Sequence, residues 1–389
     1  MPPSARAKWI VALWLTAVLV CAICSCAPQK SWNASELEYG LTVTPPGAAP
    51  QNLDLTEAMR TLRIGSVSVA VVGQHQLRWA QAFGEQATPN TRYQAASLSK
   101  LVTAVGALRL VDQDKLAIDR DINDDLVIWR LPPSAAAQGH PVTLRELLSM
   151  TGGINVPGYV GYDPGQRLPN LVEILDGSPP ANSPPVRIET IPGARYSYSG
   201  GGYQIVQALI ESATGTTFQQ AMETLVLEPL GMTSSEFAQP LPAELEPTAA
   251  TGHDSQGVPV PGRWKVVPEL AAGGLWSTPT DLAKLLIAIA DSYRGQSTFL
   301  SRQSVDQMLT QQGVGPYGLG GALRGAGENL VLMKRGQNVG YQSCMLIFPV
   351  QGDGIVVMSN SDNGMALAEA LVRRAAVAYR WPDLGDSID

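Results

Sequence analysis

Strand-like sequence lies at the two ends of this chain and hardly at all between them. Early on, "IGSVSVAVV" and "HQLRWAQAF", separated by Gly73-Gln74, read as the arms of a β-hairpin. Far downstream the pattern returns in "ENLVLMKRG", "YQSCMLIFP" and "GIVVMSN", joined by short glycine-containing turns. Neither group buries its apolar faces alone. The arrangement therefore predicts one antiparallel sheet built from both termini and flanked by helices, with a mainly helical lobe inserted: an α+β fold.

The middle of the chain supplies the helices. "VTLRELLSM" opens with Thr143 and Glu146 in capping-box spacing. "STPTDLAKLLIAIA" offers Thr278 as N-cap, Pro279 at the first helical position and Asp281 in the first turn. "DGSPPANSPPVRIETIPGA" is too proline-rich for regular structure and reads as a long surface loop. The last apolar-faced helix is "MALAEALVRRAAVAYR". These signals place one domain over 54–381, with an α/β lobe over about 54–114 and 316–381 and a helical lobe over about 115–315.

The N-terminus has a separate logic. Arg6 and Lys8 precede the apolar run "WIVALWLTAVLVCAIC", which has the length of a signal-peptide core and is short for a membrane span. It runs into "ICSC", which resembles a bacterial lipobox with Cys26 as the lipidated residue; an ordinary signal peptide cut nearby is the alternative. Residues 1–26 thus read as a signal peptide with lipobox and 27–53, polar and marked by Pro and Gly, as a tether. The expected product is an exported bacterial lipoprotein, held to a membrane by its N-terminal lipid and facing the periplasm or the exterior. Cys344 is then the one cysteine left in the domain, and its setting in "CMLIF" suits a buried apolar residue better than a nucleophile. A net charge of -7, with no Lys/Arg cluster in the body, argues against a nucleic-acid partner.

Three short motifs carry chemistry. In "AASLSKLVTA", Ser97 and Lys100 stand at i and i+3, on one face of a predicted helix, so the amine can reach the hydroxyl. The helix N-terminus adds positive potential there. In "RYSYSGGGYQIV", Tyr198 precedes a run of three glycines, and a phenol acts as a base near neutral pH only if cations favour its anion. In "VLMKRGQNVGY", Lys334 ends an apolar strand two residues before Gly336. Taken singly, each has a commonplace reading: a solvated helix lysine, a packed aromatic residue, a strand-end charge.

In this order the three resemble the motif series of the serine β-lactamase and penicillin-binding-protein family, in its class C-like branch, which includes D,D-peptidases, D-aminopeptidases and esterases. Ser97-Leu-Ser-Lys100, Tyr198-Ser-Gly200 and Lys334-Arg-Gly336 stand where that series has Ser-x-x-Lys, Tyr-x-Asn and Lys-Thr-Gly. The chain contains a single Ser-x-x-Lys and a single Lys-x-Gly. "VTLRELLSMTGGI", "AAGGLWSTPTDLAKLL" and "GYQSCMLIFPVQGDGIVVMSN" extend the resemblance over roughly 55–380. It implies a β-lactamase/transpeptidase-like fold and a serine hydrolase without cofactor or metal. Ser97 forms the acyl-enzyme, Lys100 and Tyr198 share its proton, and Lys334 supplies positive potential. The backbone N–H groups of Ser97 and Gln337 form the oxyanion hole, and Gly200, Arg335 and Gly336 fall at substrate-binding positions.

The departures bear on specificity. Gly200 replaces the asparagine that contacts a substrate's amide side chain, and Arg335 the threonine that helps hold a carboxylate. Met150 and Gly152 replace a histidine and a serine. An arginine can itself grip a carboxylate, although a regular strand points it away from Lys334. The substrate class thus stays open between a peptidoglycan D,D-peptide, a β-lactam and a carboxylic ester. "SDN" at Ser361–Asn363 follows the lysine motif rather than preceding it, and reads as a turn. A Ser-His-Asp enzyme or a metal site finds no support in the scattered His75, His140 and His253. The rival from another class is a non-catalytic lipoprotein that binds cell-wall fragments or a partner; a binder has no need of Ser97, Lys100, Tyr198 and Lys334 together.

Overall fold

A computed structural model describes residues 30–384, apart from 46 and 383. The segment carrying the signal-peptide and lipidation expectations, including Cys26, lies outside the described residues. No described helix is long and apolar enough to cross a membrane.

A six-stranded antiparallel sheet forms the centre, in the order Gln76–Gly84, Ser66–Gly73, Asp353–Ser359, Tyr341–Phe348, Val331–Asn338, Ala322–Arg324. The N-terminal hairpin thus pairs with the last strand of the chain, and one antiparallel sheet is built from both termini, as the sequence predicts. Gln74 and His75 both sit at positive φ, at 52° and 64°, in its two-residue turn. Strand alternation sorts side chains onto two cores: Leu332, Met345, Ile347 and Val356 face one, Met333, Cys344, Leu346 and Ile355 the other. Helices Leu55–Leu62 and Gly364–Ala378 cover the second face. Over the first lie Pro279–Tyr293 and the remaining helices, among them Ser99–Asp112 and Gly200–Thr214.

Local signals act as expected at two helix starts. Thr143 and Glu146 close a capping box, and the Thr278 hydroxyl accepts from the Asp281 amide at 3.3 Å. Two expectations need correction. The tether does not extend to residue 53: from Trp32 the chain belongs to the folded body. Leu37, Leu41 and Val43 are buried under the last helix, Trp32 stacks on Tyr379 at 4.9 Å, and the Tyr379 hydroxyl donates to the Asn33 carbonyl. Few apolar residues do this work, so the segment's average polarity hides it. The lobe boundary also differs, because Pro279–Tyr293 packs directly on the sheet rather than among the helices alone.

Candidate active site

Ser97 lies on a single 3-10 turn, Ala96–Leu98, from which the helix Ser99–Asp112 runs on. Ala96 takes φ 51°, a left-handed conformation that costs an alanine about 1 kcal/mol. The turn is pinned from several sides. The Ala95 amide donates to the Leu275 carbonyl at 2.9 Å, and the Ser99 hydroxyl accepts from the Leu275 amide at 3.1 Å. The strand bearing Lys334 presses against it. A Cβ on Gly336 would stand 2.4 Å from the Ala95 carbonyl oxygen, 2.7 Å from the Ser343 hydroxyl and 3.2 Å from the Ser97 amide. Only glycine permits that approach.

Lys100 is buried on a helix that is itself buried on most sides, so its ammonium finds partners inward. Its Nζ donates to the Ser97 hydroxyl at 3.1 Å and to the Ala272 carbonyl at 2.7 Å, and lies 5.1 Å from the Tyr198 ring centre. Burial drives its pKa down to about 8, against the pull of Tyr198. Tyr198 is presented by the start of helix Gly200–Thr214, where Ser199 is the N-cap: its hydroxyl accepts from the Gly202 amide and donates to the Asn155 carbonyl. Burial alone raises the Tyr198 phenol, but Lys100 and Lys334, with hydrogen bonds from Ser97 and Lys334, bring it down to about 7.

Lys334 donates to the Tyr198 oxygen at 3.1 Å and to the Tyr317 oxygen at 3.0 Å. Burial opposes its charge, yet the two phenols outweigh this and raise its pKa. The site is therefore a serine hydroxyl, two lysines and a tyrosine in one hydrogen-bonded chain, with the amine nearest the serine ready to lose its proton near neutral pH.

A cleft of about 1050 Å³ opens over Ser97. Tyr159, Tyr196, Tyr198 and Tyr317 line it with Met333 and Met365; its charged groups are Lys334, Arg335 and Asp362. The structure brings Ser97, Lys100, Tyr198 and Lys334 together, and sets Gln337 on the exposed strand end beside them. Two of the positions expected to bind substrate behave otherwise. Strand pleat turns the Arg335 side chain to the opposite face, where it pairs with Glu369 of the last helix at 2.5 Å. Gly200 is buried, and the ring of Tyr159 stands 3.0 Å from where its Cβ would be. Gly336 serves the close approach of strand and turn just described.

Sequence reasoning missed Tyr159 and Tyr317, which come from loops without periodicity, and gave Met150 no role. The Met150 sulfur accepts from the Ser199 amide at 3.3 Å and its carbonyl from the Ser197 amide at 2.8 Å, so it braces the tyrosine segment. Ser361–Asn363 is a turn: the Asn363 side chain donates to the Leu62 and Ser255 carbonyls. Burial pushes the Cys344 thiol up to about 12, consistent with an inert residue. His75 pairs with Asp291, His140 is exposed, and His253 bonds to Asn360; none lines the cleft. Among the described residues no group of His, Cys, Asp or Glu is placed to hold a metal.

Comparisons with known proteins agree with this geometry. Protein flp of Staphylococcus aureus (strain N315) is 23% identical over 322 residues, covering 76% of this chain and 60% of its own length. The chain thus spans about three fifths of that relative. Esterase EstB of Burkholderia gladioli is 30% identical over 225 residues, 52% of this chain and 54% of the esterase. Among solved structures, the octameric penicillin-binding protein homologue from Pyrococcus abyssi superposes with a TM-score of 0.68 at 24% identity, covering 83% of this chain and 75% of that one. The family profile described as Beta-lactamase matches residues 54–380, nearly the whole folded body. The chain belongs to the beta-lactamase family.

Proposed function

We propose that the protein hydrolyses an uncharged carboxylic ester through an acyl-enzyme on Ser97. The Ser97 oxygen attacks the ester carbonyl carbon, and its proton passes into the pair formed by Lys100 and Tyr198, which titrates as one unit. The tetrahedral oxyanion is met by the Ser97 and Gln337 amides, each such donor being worth about 10²–10³ in rate. Collapse breaks the bond to the alkoxide, which takes the proton from the same pair. Water then attacks the acyl carbon, gives its proton to the pair, and releases Ser97 and the acid. Lys334 stays charged throughout and favours the Tyr198 anion.

One observation carries the ester assignment. A β-lactam or a D,D-peptide brings a carboxylate, and among the described residues the cleft has no free cation for it. Lys334 is engaged by two phenols, the Arg335 guanidinium is on the far face with Glu369, and Asp362 adds negative charge. The tyrosines that remain suit an apolar ester. The likeness to an esterase supports the same reading. The test sets p-nitrophenyl butyrate against benzylpenicillin and a D-Ala-D-Ala peptide, with Ser97→Ala beside each. Ser97-dependent ester turnover at least about 10²-fold above the other two is expected; faster turnover of either carboxylate substrate refutes the assignment.

We also propose export as a lipoprotein anchored at Cys26, on the strength of the N-terminal sequence. Incorporation of an alkynyl fatty acid in cells, lost in Cys26→Ser, is the expected outcome; equal labelling of both forms contradicts it.

A further inference from the structure

Lys334 has two phenol partners, and only one of them takes part in proton transfer. Tyr198 belongs to the pair with Lys100; Tyr317 does not. Yet the Tyr317 oxygen is 3.0 Å from Lys334 Nζ, as close as that of Tyr198 at 3.1 Å. An ammonium has three N–H donors, so the two phenols occupy two of them. Lys334 is 3% exposed, and these phenols keep it charged against the cost of burial.

The segment around Tyr317 is built to hold that hydroxyl in place. "GVGPYGLGG", residues 313–321, forms no helix or extended strand, but its backbone is bonded on both sides of the tyrosine. The Tyr317 carbonyl accepts from the Gln312 amide at 2.9 Å, the Pro316 carbonyl from the Leu323 amide at 2.7 Å, and the Gly320 amide donates to the Leu148 carbonyl at 3.0 Å. Gly320, at φ 98°, lies directly on the helix that carries Lys100: a Cβ there would stand 2.6 Å from the Cβ of Ala104. The Tyr317 ring lies against Tyr196 at 5.3 Å and meets Tyr198 edge-on at 6.5 Å. Swinging the phenol aside would break this packing.

The consequence falls on one class of substrate. Among the described residues that line the cleft the cations are Lys334 and Arg335, and Arg335 pairs with Glu369 on the opposite face. A substrate carboxylate can therefore be met only by Lys334, at the expense of a phenol. We propose that Tyr317 is a specificity-determining residue: by holding the Lys334 ammonium on its hydroxyl, it excludes esters whose acyl chain ends in a carboxylate. A neutral ester makes no demand on Lys334. Tyr317 thus acts through Lys334, as a positioning residue. The inference deepens the ester-hydrolase reading and, for its kinetic test, rests on it.

The experiment compares p-nitrophenyl hexanoate with mono-p-nitrophenyl adipate, two six-carbon acyl chains that differ in the terminal carboxylate, at pH 7.5. The native protein is expected to prefer the hexanoate by about 10²-fold or more in kcat/KM. Tyr317→Phe keeps the ring and frees the ammonium, so the preference should fall about tenfold or more, through a lower KM for the adipate ester. A merely structural role would slow both esters alike and leave the ratio unmoved; that result overturns the proposal. So does a native protein that turns over the two esters equally, a measurement that needs no variant. A second arm needs no turnover: hexanoate ion raises the thermal midpoint of Tyr317→Phe and leaves that of the native protein unmoved, as binding to the folded state requires. That result without Ser97-dependent turnover of either ester keeps the role of Tyr317 and rejects the ester-hydrolase reading. Equal stabilisation of both proteins, or of neither, rejects the role of Tyr317.

Discussion

Gly336→Ala tests whether the nucleophile's position depends on the strand pressed against it. The added methyl meets the Ala95 carbonyl oxygen at 2.4 Å, the Ser343 hydroxyl at 2.7 Å and the Ser97 amide at 3.2 Å. Ordinary van der Waals contact requires the first of these to open by roughly 1 Å. Serine 343 can rotate, but Ala95 cannot yield freely, because its amide is bonded to Leu275 and its carbonyl accepts from Leu98 at 3.1 Å. The displacement therefore reaches Ser97, two residues on, and carries it away from Lys100 Nζ, now at 3.1 Å. A misplacement of about 1 Å costs about 10²-fold in rate, and overpacking costs about 1–3 kcal/mol of stability. The assay is p-nitrophenolate release from a butyrate ester, with thermal unfolding followed by circular dichroism beside it. A cooperatively folded variant with kcat/KM reduced about 10²-fold is expected. If it folds and retains activity within about threefold, Ser97 is not held by this contact and the reasoning is wrong.

Other outcomes follow from the same structure. With Lys100 brought to about 8 and Tyr198 to about 7, the basic form of the pair appears as pH rises, so kcat/KM climbs from pH 6 to a plateau near 9; a flat profile contradicts this. Glu269 has its pKa raised by burial from 4.5 to about 7, so the folded state holds its proton in a range where the unfolded state has lost it. Its contribution to stability is complete below about pH 4.5 and is lost as pH rises through 7, by up to about 3 kcal/mol. Glu269→Gln should accordingly raise the unfolding midpoint at pH 8 and leave it nearly unchanged at pH 4.5; the opposite pattern rules out a buried neutral acid. Removing residues 32–53 exposes the partners of Leu37, Leu41 and Val43, each worth about 1.5–3 kcal/mol when buried. Thermal unfolding should show a loss of several kcal/mol against a chain beginning at Trp32, and equal midpoints would mean the segment does not pack as described.

What the sequence shows depends on whether a residue's role is periodic. The five long strands and the last helix are legible because alternation and helical spacing recur along each. Ser97 and Lys100 are legible because helix geometry fixes an i, i+3 pair, and the opposite orientations of Lys334 and Arg335 follow from the pleat. Tyr159, Tyr317 and Glu269 are not legible: each reaches its place through an irregular segment whose path depends on tertiary packing. Gly336 stands out in the sequence by its motif, but the reason for it, a backbone contact with Ala95, spans a distance in sequence that no local pattern encodes. The N-terminal segment misled because Trp32, Leu37, Leu41 and Val43 are sparse among polar neighbours, and average composition outweighed four packed side chains.

The most direct test of the account is intact-mass analysis of the folded domain, residues 30–389, treated with a fluorophosphonate, with peptide mapping of the adduct. The account predicts one phosphonyl group per chain, on Ser97, forming faster as pH rises from 6 to 9, and absent in Ser97→Ala. Native-like folding with no adduct, or an adduct that survives Ser97→Ala, contradicts a nucleophile at Ser97.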